Sequence, residues 1–130
     1  MDIGKEAVRL HGEGLNCAQC VLCSCRTHTG IDERTALSVA AGFGGGVRCG
    51  EICGAISGAV MALGLADPAS EEGGREAAAR LSQLTKACSA AFREQYGAVR
   101  CLDLKRAGVS CDELIALGAR TAERLIEENK

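Results

Sequence analysis

Aromatic side chains are almost missing from this chain, with one Tyr, two Phe and no Trp in 130 residues. A chain so poor in flat rings offers no stacking platforms for bases. Its 15 basic and 17 acidic residues are interspersed, to a net charge of −2, and make no cationic face. Nucleic acid is not an expected partner. Long hydrophobic runs are missing too. The longest uncharged stretch covers residues 52–66, about 15 residues against the roughly 20 a helix needs to span a bilayer, and it contains Ser57 and the glycines 54, 58 and 64. It reads as a buried core helix. The opening Met1-Asp2-Ile3-Gly4-Lys5-Glu6 has no basic patch followed by an apolar run, so no secretory signal is expected. The expectation is a cytoplasmic protein with no membrane partner.

What is abundant is aliphatic and small. Apolar residues make up 47% of the chain, so the core must be built from Ala, Leu, Val, Ile and Cys. Alanine and leucine favour helices, and small residues let helices approach closely. No run alternates as a strand would. Caps and periodicity predict one all-α domain over residues 1–130, a compact bundle of five to six helices around a glycine-rich one. They run from about 5 to 11, from Asn16 to just before Gly30, from Asp32 through Ala40, from 51 to 65, from 71 to 96, and from 110 to 128. The fourth carries Gly54, Gly58 and Ala62 at four-residue spacing and is apolar or small all round, so it belongs in the middle. A glycine-rich loop over 42–50 precedes it. Gly73-Gly74 is expected to delay or fray the start of the fifth helix.

Nine cysteines in such a chain are the outstanding feature. Without an export signal they point to metal or redox chemistry rather than a disulfide scaffold. An odd number also cannot pair fully within one chain. The densest run is Cys17-Ala18-Gln19-Cys20-Val21-Leu22-Cys23-Ser24-Cys25. At ~100° per residue Cys20 lies about 60° from Cys17, Cys23 points to the opposite side, and Cys25 returns roughly 12 Å further along the axis. One regular helix therefore aims at most Cys17 and Cys20 at a common site.

The helix caps give a sharper indication. Asn16-Cys17-Ala18-Gln19 has the form of a capping box, and Ser110-Cys111-Asp112-Glu113 matches the standard pattern. Each puts a cysteine at the first helical position. Cys53 falls in the first turn of the glycine-rich helix. Three cysteines thus sit at positive helix ends, where free N–H groups favour an anion and lower thiol pKa. Cys101 lies in the loop before the last helix, ten residues before Cys111, close enough for both to reach one point. Four thiolates suit an iron–sulfur cluster or structural zinc. Zinc is the weaker reading, because only Cys17/Cys20 has knuckle spacing and it lies on a helix.

Several stretches resemble the redox-active family named for its C-GCAxxG-C-C cysteine pattern. They are Gly14-Leu15-Asn16-Cys17-Ala18-Gln19, Gly42-Phe43-Gly44-Gly45-Gly46, Cys53-Gly54-Ala55-Ile56-Ser57-Gly58-Ala59 with Met61-Ala62-Leu63-Gly64-Leu65, Cys101-Leu102-Asp103-Leu104, and Cys111-Asp112-Glu113-Leu114. They follow the family's order across residues 14–114. The resemblance implies four hallmark cysteines, carried onto Cys17, Cys53, Cys101 and Cys111, holding a [2Fe–2S] or [4Fe–4S] cluster. It implies this because the module is similar to the cluster-bearing part of split-Soret cytochromes. Those relatives are dimeric, so a homodimer is implied as well. They also carry haem, but no Cys-x-x-Cys-His occurs here, and haem is not expected. The chain departs from the pattern in five additional cysteines, Cys20, Cys23, Cys25, Cys49 and Cys88. Of these, Cys20 and Cys49 are candidates to replace or supplement a hallmark residue.

The expected function is electron transfer through that cluster, with no catalytic residue assigned and the redox partner open. Two other readings compete. Cys17-Ala18-Gln19-Cys20 at a helix start mimics the dithiol of a thiol–disulfide oxidoreductase, although no strand precedes it. A structural or buffering module holding zinc or a softer ion is the third. The glycine-rich loop is no Walker motif, since Glu51 stands where lysine is required. His11 and His28 read as isolated surface residues, Arg48 as a solvated arginine, and Cys88, on an apolar stripe, as a buried inert thiol.

Overall fold

The computed structural model describes residues 1–130. It is all helical, with eight α-helices and no strand. These are α1 (Ile3–Gly12), α2 (Cys17–Ser24), α3 (Arg26–Thr29), α4 (Glu33–Ala40), α5 (Gly54–Ala66), α6 (Arg75–Tyr96), α7 (Cys101–Arg106) and α8 (Cys111–Glu128). Two of the eight, α3 and α7, are short pieces that periodicity does not resolve. The expected second helix breaks at Cys25, and the segment holding Cys101 forms a helix of its own. None of the helices is long and apolar enough to cross a membrane.

Local chemistry sets the boundaries. Asn16 and Gln19 form a complete capping box, with Gln19 N–H donating to Asn16 Oδ1 at 2.9 Å and Asn16 N–H to Gln19 Oε1 at 3.0 Å. The same two side chains donate onward to the Ala41 and Leu37 carbonyls, which ties the start of α2 to the end of α4. At α8 only half a box forms. The Glu113 N–H donates to Ser110 Oγ at 3.1 Å, while the Glu113 carboxylate accepts instead from the Tyr96 hydroxyl. The glycine-rich helix starts later than expected, at Gly54, because Ile52 is drawn into an isolated antiparallel bridge with Arg100. The fifth expected helix also starts late, at Arg75. Gly73 and Gly74 hold φ of 72° and 97°, and a 3₁₀ turn over Pro68–Glu71 takes up the intervening chain.

Helices α2, α5 and α8 meet in the middle through small residues. A β-carbon on Gly58 would stand 2.6 Å from the Ala18 carbonyl, and one on Gly118 would stand 2.8 Å from that of Ala55. Around this contact a continuous core forms from Ala18, Val21, Leu22, Ala55, Ile56, Ala59, Leu63, Phe92, Leu104 and Ile115. Close approach of these three helices brings the N-terminal ends of α2 and α5 together.

Candidate cysteine centre

Five helices begin at a cysteine, the one-turn α3 at Cys25, which caps it, and four others at the hallmark residues. Cys17, Cys101 and Cys111 are the first residues of α2, α7 and α8, and Cys53 caps α5. Backbone pairing fixes two of them side by side. Cys53 N–H donates to the Val99 carbonyl at 2.9 Å and Cys101 N–H to that of Glu51 at 2.7 Å, one bond on each side of the Ile52–Arg100 bridge. The Cys17 sulfur lies against Gly54, which gives the site its third member. Cys111 lies within electrostatic reach of the group: burial most, and then charge on Cys17 and Cys101, raises its pKa, and the same causes raise that of Cys53. Cys53 and Cys111 each feel Cys17 and Cys101, which arranges the four as a ring.

The ring is graded in depth. Cys53 is 3% and Cys101 9% exposed, Cys17 is half-buried, and Cys111 is open to solvent. No group of three or more His, Cys, Asp or Glu side chains closes around one point to hold a single ion. A mononuclear zinc site needs every sulfur at about 2.3 Å from one atom. A cluster is a body of several atoms that spans a wider gap between its thiolates. Four thiols with helix N–H groups behind them are a donor set of the number that either kind of group takes.

At Cys53 and Cys111 the helix ends do not make the thiol acidic, contrary to the sequence expectation. Burial pushes Cys53 up to about 12 and outweighs the Ala55 and Ile56 amides, which pull the other way without forming a capping hydrogen bond. Burial, followed by charge on Cys17, also raises Cys111. Both rest as neutral thiols, so any metal they take must displace protons.

The other five cysteines lie elsewhere. Cys20 is fully buried one turn behind Cys17, donates to the Leu15 carbonyl at 3.6 Å, and is pushed up to about 12 by burial and by charge on Cys17. Cys25 and Cys88 are enclosed in the core, with pKa values raised by burial to about 12 and about 11. Cys23 is half-buried beside Glu33 and Arg26. Cys49 is exposed in the glycine-rich loop, its thiol turned to the Gly46 carbonyl.

Other features were not legible in the sequence. Residues 45–48 form a left-handed turn in which Val47 and Arg48, at φ of 57° and 64°, follow two glycines in the same conformation. Arg48 Nη2 donates to the Ala41 carbonyl at 3.0 Å, so this arginine braces the turn as well as meeting solvent. Nothing in Val-Arg signals positive φ, which both residues avoid. The histidines are not isolated. His11 Nδ1 lies 2.7 Å from Asp112, and His28, largely covered, lies 3.0 Å from Glu123 and 3.6 Å from Glu127.

The fold and the site together define a class: a small all-helical protein that gathers cysteines at the starts of separate helices. Residues 15–125 match the family model described as putative redox-active protein (C_GCAxxG_C_C). The chain belongs to that family. Neither a curated protein nor a solved structure matches it.

Proposed function

We propose that this redox-active family member is an electron carrier whose iron–sulfur cluster is held by Cys17, Cys53, Cys101 and Cys111. The observation that carries the reading is selectivity. Of nine cysteines, these four stand at the starts of α2, α5, α7 and α8 and within electrostatic reach of one another, whereas Cys25, which caps the one-turn α3, is sealed in the core. When bound, the cluster supplies a one-electron couple. The chain's own residues do the rest. Cys53 and Cys101 lie beneath the surface, aliphatic side chains limit water around them, and the first amides of four helices favour added negative charge. Neutral thiols in a reducing compartment such as the cytoplasm would stay available for loading.

Anoxic purification followed by iron and sulfide determination, with an electron paramagnetic resonance spectrum of the reduced protein, tests the proposal. Iron and acid-labile sulfide with a visible chromophore are expected. A colourless protein that takes up no iron on reconstitution would overturn it. Zinc in place of iron, persisting after iron-replete expression, would favour the structural module instead.

The dithiol reading is less well supported. A resolving thiol must ionise to attack, yet Cys20 is buried with its pKa near 12. Cys20→Ser separates the two, since it abolishes dithiol activity and leaves a cluster protein coloured.

A further inference from the structure

The surface nearest Cys53 and Cys101 carries exposed apolar side chains beside the Glu51–Arg100 ion pair. Ile52 and Leu102, each adjacent in sequence to one of these cysteines, are 43% and 37% exposed, and Val47 is 50% exposed. They form one patch. Gly50 backs onto Leu102, while Val47 and Ile52 line a groove of about 500 Å³ with Phe43, Ile56 and Met61. Monomeric proteins seldom leave such a continuous patch uncovered without a use for it.

The charges around the patch are lopsided. In the two segments that carry Val47, Ile52 and Leu102, residues 47–52 and 100–106, Arg48, Arg100, Lys105 and Arg106 stand against Glu51 and Asp103, an excess of two positive charges (four minus two) in a chain of net −2. Both carboxylates face the same arginine, Arg100, at 3.2 and 3.8 Å. Arg48, Lys105 and Arg106, all exposed, are left without a carboxylate partner.

We propose that this face docks an acidic redox protein, with Ile52, Leu102 and Val47 as the dry centre and Arg48, Lys105 and Arg106 as the steering rim. The proposal rests on the electron-carrier reading and names the partner of the same centre. Docking here brings the partner over the two most buried hallmark cysteines, which solvent-borne reductants reach least. A second copy of the chain fits less well than an acidic partner, because a two-fold contact brings two net-positive patches together. Electron-transfer encounters are small and salt-sensitive, below about 1,200 Å² of buried surface.

The test is calorimetric titration with a plant-type [2Fe–2S] ferredoxin as the acidic probe, on the chain with and without iron. Binding at low ionic strength is expected. It should weaken roughly tenfold in K105E/R106E and on raising salt, and should also weaken in I52S/L102S, while K5E/R34E on α1 and α4 leaves it unchanged. These are surface positions, so folding is preserved. Absence of binding, affinity unmoved by both face variants, or self-association through Ile52 and Leu102 would overturn the proposal. Stopped-flow electron transfer is read separately. An iron-loaded, reducible chain that does not bind sinks the docking surface alone, whereas binding by a chain that takes up no iron sinks the electron-carrier reading alone.

Discussion

The sulfur of Cys17 occupies the space that a side chain on Gly54 would need. A β-carbon there would collide with Cys17 Sγ and stand 2.9 Å from the Phe43 carbonyl. Glycine at the start of α5 is thus a condition for the cysteine ring as well as for helix packing. Gly54→Ala is expected to cost about 1–3 kcal/mol of stability through overpacking and to lower bound iron per chain. Gly58→Ala provides the comparison, because its β-carbon would press on Ala18 and Val21 and on no hallmark sulfur. At matched loss of stability, measured by urea unfolding, only the Gly54 variant should lose iron. Equal loss from both would reduce the role of Gly54 to packing.

The ring also predicts how individual cysteines respond to replacement. Serine at Cys17, Cys53, Cys101 or Cys111 should remove most bound iron, with Cys111 the mildest because its exposed position lets another ligand substitute. Serine at Cys20 or Cys49 should leave the iron-to-protein ratio and spectrum unchanged. Cys20 is turned toward Leu15, and Cys49 toward Gly46. Colour lost with Cys20→Ser while Cys17→Ser retains it would redraw the ligand set.

Much of this site is readable from the chain, and the reasons are local. Asn16 and Ser110 announce helix starts through side-chain chemistry that acts over three residues, so Cys17 and Cys111 are placed by their neighbours alone. Gly54 and Gly58 announce close packing for the same reason. Cys53 and Cys101 are different. Their positions depend on a backbone pairing between residues about 50 apart, in segments with no strand pattern, and the bridge that converts Cys53 from a first-turn residue to a cap is a tertiary event. The acidity of the Cys53 thiol departs from the sequence expectation for a related reason. Helix ends are visible in sequence, but the burial that outweighs them at Cys53 is produced only by packing.

That burial has a pH consequence for the metal-free protein. Cys20, Cys25 and Cys53 are raised from 9.0 to about 12 and Cys88 to about 11, so the folded state holds protons that the unfolded state releases. Their contribution to stability is intact below pH 9 and is lost as pH climbs toward 12. Each unit above 9 costs about 1.4 kcal/mol per thiol, so four thiols exhaust a typical domain stability near pH 10–11. Urea midpoints taken from about pH 7 to 11 should be level and then fall steeply. Removing two of the groups with Cys25→Ala and Cys88→Ala should flatten the slope, whatever it does to the midpoint at neutral pH. By the same linkage, iron loading should release protons and proceed faster at pH 8.5 than at about 6.5. A midpoint that stays level to pH 11 would show the thiols to be better solvated than their positions imply.

The left-handed turn beside the cysteine ring carries the last prediction. Val47 is β-branched and half exposed, yet holds φ of 57° and ψ of 37°. That conformation costs an L-residue about 1–2 kcal/mol, and glycine adopts it without strain. Against the relief stand the apolar contacts of the Val47 side chain with the groove it shares with Ile52, and the greater freedom glycine brings to the unfolded chain. The strain is the larger quantity because the side chain is only partly covered. Val47→Gly should therefore raise stability by about 0.5–1 kcal/mol, seen as a higher urea midpoint with unchanged slope. Arg48→Gly relieves the same kind of strain but also removes the brace to the Ala41 carbonyl, so its gain should be smaller or absent. If strain here serves the exposed apolar face, Val47→Gly gains stability while weakening the ferredoxin probe. A Val47→Gly protein less stable than its parent would show that side-chain contacts, rather than backbone geometry, decide this turn.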